Sequence, residues 1–162
     1  MLVKAMPPPT FRSLLVVCTG NICRSPMGEV FFRERLQPLD DLTIASAGTG
    51  ALVGHKASEH AIAVMDERRM DLRAHRGRQF DLDLARDFDL TLVMELEHRR
   101  WIERRYPVLR GRVCLLGQWL DNTEIHDPYG QSLAEFRAAR DLIEKAVDAW
   151  IERIAGAAGP ET

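Results

Sequence analysis

The chain is poor in lysine, cysteine and tyrosine, and it has no long apolar run. Of its 22 basic residues only Lys4, Lys56 and Lys145 are lysine, and 24 acidic residues bring the net charge to −2. So even a balance excludes an overall electrostatic attraction to nucleic acid or to an anionic membrane. Three cysteines in 162 residues are too few for a disulfide-built scaffold. No stretch approaches the ~20 apolar residues needed to cross a bilayer. Met1–Thr10 holds one lysine and Pro7-Pro8-Pro9 and has no apolar core for a signal peptide. His55, His60, His75, His98 and His126 show no metal-ligand spacing, so no metal is expected, and the cysteine chemistry read below requires no cofactor. The expectation is a cytoplasmic monomer with no nucleic-acid partner and no membrane insertion.

What is present is enough apolar residue, 46%, for one compact domain with a real core. Residues 1–12 read as a flexible leader, 13–155 as the domain and 156–162 as a frayed tail. Apolar runs at Leu14–Val17, Leu42–Ala45, Leu90–Met94 and Val113–Leu116 read as buried parallel strands. Helical periodicity fits Pro26–Leu36, Ser58–Arg69, Glu97–Arg105 and Leu133–Ile154, the last with Leu133, Phe136, Ala139, Arg140, Ile143, Val147, Trp150 and Ile154 mostly on one face. Strands alternating with helices predict a doubly wound α/β fold with helices on both faces of a parallel sheet. Ligands bind such sheets outside the carboxyl ends of the strands. Cys18, Ser46 and Glu95 follow the first three strands, which points to a single site. The segment His98-Arg99-Arg100 to Arg104-Arg105 reads as a solvated helix face, and Cys114 as core.

The chemistry concentrates in Cys18-Thr19-Gly20-Asn21-Ile22-Cys23-Arg24-Ser25, between the first strand and the helix that opens at Pro26. Such a loop can turn its N–H groups inward as an anion nest, and the helix N-terminus adds partial positive charge. Cys18 is there predisposed to act as a thiolate nucleophile, and Arg24 can hold an oxyanion with two parallel hydrogen bonds. Asn21 tolerates left-handed backbone geometry. Ser25 suits a helix cap. Asp127 before Pro128 is either an ordinary turn or a carboxyl aimed by a stiffened backbone. Together these suggest a cysteine attacking a phosphate monoester.

The loop CTGNICRSP, Ser46-Ala47-Gly48, His75-Arg76-Gly77-Arg78-Gln79 and Asp127-Pro128-Tyr129 resemble the low-molecular-weight protein-tyrosine phosphatases, from about Leu14 to about Ile154. Gly50-Ala51-Leu52-Val53-Gly54 and Gly117-Gln118-Trp119 are similar to the bacterial branch associated with exopolysaccharide and capsule production. The resemblance implies a four-stranded parallel sheet of flavodoxin-like order. It implies Cys18 as nucleophile, Arg24 as transition-state ligand and Asp127 as general acid. It places Thr19, Gly20, Asn21, Ile22, Cys23 and Ser25 around the phosphate, with Leu52 and Tyr129 lining the cleft. Ser46 and His75 would pin Asn21, although His75 also fits a helix-flanking position. The Ser25 hydroxyl would face the sulfur as well as, or instead of, capping the helix. Cys23 would either form a reversible disulfide with Cys18 or simply pack. The implied partner is a phosphotyrosine protein, in this branch a bacterial tyrosine autokinase. Leu52 stands where many eukaryotic relatives have Trp, which leaves peptide preference open. A thiol-dependent arsenate reductase would need two further cysteines on a mobile segment; there are none between Cys23 and Cys114, and Asp127-Pro128-Tyr129 would go unexplained. A protein-arginine phosphatase would carry Thr in place of Ile22, and a non-catalytic anion-binding module would have no use for both Cys18 and Asp127.

Overall fold

The computed structural model describes residues 11–37 and 41–157. Four strands, β1 (Ser13–Cys18), β2 (Thr43–Gly48), β3 (Leu90–Val93) and β4 (Val113–Leu115), form one sheet in the order β2-β1-β3-β4. All three pairings are parallel. Among the described residues five α-helices accompany them: α1 (Arg24–Leu36), α2 (Glu59–Asp66), α3 (Leu82–Ala85), α4 (Leu96–Arg105) and, after β4, α5 (Leu133–Ala157). The expected doubly wound architecture with flavodoxin-like order is what the chain adopts.

β1 is central, and every residue of it is buried. Its alternation sorts the core into two layers. Leu14 and Val16 pack with Met27, Phe31, Val64 and Ile143 beneath α1, α2 and α5. Leu15 and Val17 face Phe80, Ala85 and Ile102 beneath α3 and α4. On α5, Phe136, Ala139, Arg140, Ile143, Val147, Trp150 and Ile154 are all buried, as their spacing predicts. Arg140 is tolerated there because its guanidinium meets the Val64 carbonyl and the Glu67 carboxylate.

Three readings change. β2 runs past Ala45 to Gly48, because Val17 and Cys18 pair with Ala47 and Gly48; Ser46 therefore lies inside the strand, beside Val16. The sequence pattern does not predict the short α3; the Asp81 carboxylate, accepting from Leu84 N–H at 2.8 Å, starts a helix too brief to show a period. Cys114 is only half buried, since β4 is an edge strand. Of the leader, Met1–Thr10 lies outside the described residues; Phe11 packs against the core and Arg12 N–H donates to Asp89 at 2.6 Å. Helix α5 continues through Gly156, and residues from 158 onward lie outside the description. No described helix is long and apolar enough to span a membrane.

Candidate active site

The loop between β1 and α1 is wrapped so that its carbonyls point away from the cleft. The carbonyls of Cys18, Thr19 and Gly20 accept from the N–H groups of Thr49, Gly50 and Leu52, each at 3.0 Å. The Asn21 carbonyl accepts from His75 Nε2 at 2.5 Å, and that of Ile22 from Ser58 N–H at 2.8 Å. Among the described residues, the N–H groups of Gly20, Asn21, Ile22 and Cys23 meet no protein acceptor. A run of outward carbonyls and unpaired N–H groups ahead of a helix N-terminus is an anion nest. Two glycines make the wrapping possible: a Cβ on Gly48 would collide with the Thr19 carbonyl, and one on Gly77 with that of Leu52.

Asn21 is the keystone of this loop. It sits at φ 56°, a left-handed conformation that Asn accepts more readily than most residues. Its fully buried amide donates to Ser25 Oγ at 2.8 Å and Ser46 Oγ at 3.0 Å, while its Oδ1 accepts from Arg78 N–H at 2.8 Å. The structure thus brings together Asn21, Ser46 and His75 as the resemblance implied. It also decides between the readings of Ser25. Helix α1 starts at Arg24 with Cys23 at the capping position, so Ser25 is not the cap. Its hydroxyl lies 2.9 Å from Cys18 Sγ. Because Asn21 donates to that oxygen, the hydroxyl proton is left for the sulfur or for the more distant Ala47 carbonyl at 3.4 Å.

Arg24 is 1% exposed, and Glu95 and Ile125 both hold its Nη1. Nη1 donates to the Glu95 carboxylate and, at 2.7 Å, to the Ile125 carbonyl. Nη2 reaches Thr19 Oγ1 at 3.4 Å and stands 3.7 Å from Asp127 Oδ2. Its Nε is a buried donor with no partner, a costly state that an oxyanion in the cleft relieves. Burial works against the Glu95 charge, but the bond and charge of Arg24 outweigh it and hold that carboxyl below its usual range. In the sequence Glu95 reads only as a polar group at a strand end; its pairing with Arg24 spans 71 positions and leaves no sequence signal.

His98 requires a correction. The charged run around it predicts a solvated helix face, yet it is buried, because it lies in the first turn of α4, which abuts the loop. Its Nδ1 accepts from Glu95 N–H at 3.1 Å and its Nε2 lies 2.8 Å from Thr19 Oγ1. Burial, aided by the Arg24 charge, pushes its pKa down to about 4. An unfolded histidine titrates near 6.5, so between roughly pH 6.5 and 4 the unfolded chain binds a proton that the folded chain refuses. Stability should therefore fall as pH is lowered through that window, by up to about 1.4 kcal/mol per unit from this residue. Urea titrations at pH 7 and 5 should show a smaller pH slope in His98→Gln than in the parent.

The remaining residues close a cleft of about 170 Å³ lined by Cys18, Thr19, Gly20, Ile22, Cys23 and Arg24 at its base, with Leu52, Asp127 and Tyr129 on its walls. Asp127 is held at the rim by its own turn, Oδ1 accepting from Tyr129 N–H at 3.0 Å. The segment carrying it is anchored where Ile125 N–H donates to the Met94 carbonyl and Leu96 N–H to the Glu124 carboxylate. Leu52 and Tyr129 are both well exposed, apolar surfaces at the mouth. Cys23 donates to Ser58 Oγ at 3.2 Å, and burial pushes its thiol up to about 12 despite that bond. Cys18 and Cys23 are both free thiols. No group of metal-ligating side chains occurs among the described residues.

Residues 13–158 match the family model for low molecular weight phosphotyrosine protein phosphatases. The low molecular weight protein-tyrosine-phosphatase Etp of Escherichia coli (strain K12) is 42% identical over 144 residues, which cover 89% of this chain and 95% of that protein. The crystal structure of the tyrosine phosphatase Wzb from Escherichia coli K30 in complex with sulphate matches with a TM-score of 0.86 and 47% identity, over 90% of this chain and 99% of that one. Vibrio vulnificus Wzb in complex with benzylphosphonate matches with a TM-score of 0.84 and 39% identity, over 88% and 99% of the two chains.

Proposed function

The chain belongs to the low molecular weight phosphotyrosine protein phosphatases and is a cysteine-dependent enzyme of that family; from that premise we propose that it hydrolyses phosphotyrosine through a phosphocysteine on Cys18. The Cys18 thiolate attacks phosphorus in line while the bond to the phenolic oxygen breaks, and Asp127 gives its proton to that oxygen. Water then attacks the phosphocysteine. Asp127, now a carboxylate, takes a proton from the water as the S–P bond breaks, and the Ser25 hydroxyl donates to the departing sulfur. Arg24 and the inward N–H groups carry the phosphoryl charge through both steps.

The observation that carries this reading is an N–H nest beside buried Arg24, whose Nε has no partner, at the base of the cleft that Cys18 lines. Glu95 and Ile125 occupy Nη1 and so hold the guanidinium still. A lysine offers one mobile charge in place of that fork. Exposed Leu52 and Tyr129 give the cleft apolar walls that suit a phenyl arm, and the base is reached by phosphotyrosine more readily than by shorter phosphoserine. The large apolar Ile22 favours an aromatic ring over a phosphoarginine.

The test is chemical trapping. With a phosphotyrosine peptide labelled on phosphorus, rapid acid quench of the parent enzyme should leave label on the peptide that contains Cys18. Label found elsewhere, or phosphate release with no labelled enzyme at any time, sinks the mechanism. Arg24→Lys should lower kcat/KM by about a hundredfold or more.

We assign the protein to the cytoplasm and take its physiological substrate to be a bacterial tyrosine autokinase of exopolysaccharide production. Supporting this are the segments Gly50–Gly54 and Gly117–Trp119, similar to that branch. Dephosphorylation of a purified bacterial tyrosine autokinase, against an unrelated phosphotyrosine protein at equal concentration, measures the preference.

A further inference from the structure

Thr19 enters the loop with a hydroxyl whose hydrogen-bonding capacity can be accounted for completely. His98 Nδ1 accepts from Glu95 N–H, so Nδ1 carries no proton and Nε2 must carry one. The Nε2–H therefore donates to Thr19 Oγ1, 2.8 Å away, and the hydroxyl cannot donate back. Arg24 Nη2 donates to the same oxygen at 3.4 Å. Both lone pairs of Oγ1 are then engaged, and its single proton has only the remaining direction. No described residue accepts it. Thr19 lines the cleft immediately after Cys18.

We infer that His98 is a positioning residue that locks the Thr19 hydroxyl as a side-chain donor to the transferring phosphoryl group. The inference rests on the phosphatase reading above and adds to the backbone nest a donor set from α4. His98 takes the third helical position, where a capping box ordinarily has Glu or Gln returning to the backbone N–H. Glutamate there would accept from that N–H yet offer no donor to Thr19; histidine does both with one rigid ring. Glu95 binds Arg24 through its carboxylate and orients His98 through its N–H, so one residue sets both groups that converge on Oγ1.

A hydrogen bond to a charged group of this kind corresponds to about tenfold in rate. With p-nitrophenyl phosphate and a phosphotyrosine peptide, Thr19→Val and His98→Leu should each lower kcat/KM about tenfold. Inhibition by inorganic phosphate should weaken in both. The double variant should be no worse than either single one, because both remove the same bond. Thr19→Ser and His98→Gln, which keep a hydroxyl and an N–H donor, should return to within about threefold of the parent. In the parent, long-range ¹⁵N–¹H spectra should show His98 as the neutral Nε2–H tautomer, a reading that needs no variant to fold. Losses that multiply in the double variant, an unchanged phosphate inhibition constant in Thr19→Val, or an Nδ1–H tautomer would each overturn the relay. A parent enzyme inactive on phosphotyrosine would overturn the function itself; an active parent beside a fully active Thr19→Val overturns only this inference.

Discussion

Cys18→Ser should lose turnover by roughly 10⁴-fold or more while still binding phosphate or vanadate. The reason lies in how little of the anion site depends on sulfur. The nest is made by backbone N–H groups whose carbonyls are tied to Thr49, Gly50, Leu52, His75 and Ser58, and Arg24 is held by Glu95 and Ile125. Serine is smaller than cysteine by a fraction of an ångström and leaves those contacts in place, but an alcohol is a far poorer nucleophile than a thiolate at neutral pH. Calorimetric titration with phosphate should give an affinity within about an order of magnitude of the parent. A serine variant with more than a trace of activity would remove Cys18 from the chemistry; one that no longer binds the anion would mean that the loop, not the nucleophile, had been lost.

The second large effect belongs to Asp127. Asp127→Asn should slow the release of poor leaving groups by about 10²- to 10⁴-fold, and of activated phenols by much less. Asparagine is the informative replacement because its Oδ1 can still accept from Tyr129 N–H, the 3.0 Å bond that shapes the turn. It has no proton to give and no charge to set 3.7 Å from Arg24 Nη2. A phenolate that is already a stable anion needs little protonation, so the deficit should shrink steadily across a series of aryl phosphates of increasing acidity. An equal proportional loss on every substrate would mean that Asp127 only shapes the rim and that the proton comes from another group.

The sequence alone determined the parts of this protein whose rules are local. Five apolar residues in the six of β1 demand burial on both faces, and the recurrence of Phe136, Ala139, Ile143, Val147 and Trp150 demands a helix against the sheet. Within the loop, the spacing of Cys18 and Arg24, the left-handed tolerance of Asn21 and the proline in the first turn of α1 are all short-range requirements. They can be read without knowing what lies across the cleft. What the fold alone decided are the partners. Whether Ser25 caps a helix or faces sulfur depends on where α1 begins, and the pairing of Ser46 with Asn21 depends on β2 running to Gly48. Arg24 meets the carbonyl of a residue 101 positions away. His98, surrounded in sequence by charged residues, is buried because the first turn of α4 rests on the loop. Spacing along a chain reports on contacts made within a turn or a strand pairing. Contacts set by the packing of one strand end against the next leave no period, and only the assembled sheet brings Glu95 and His98 to Arg24 and Thr19.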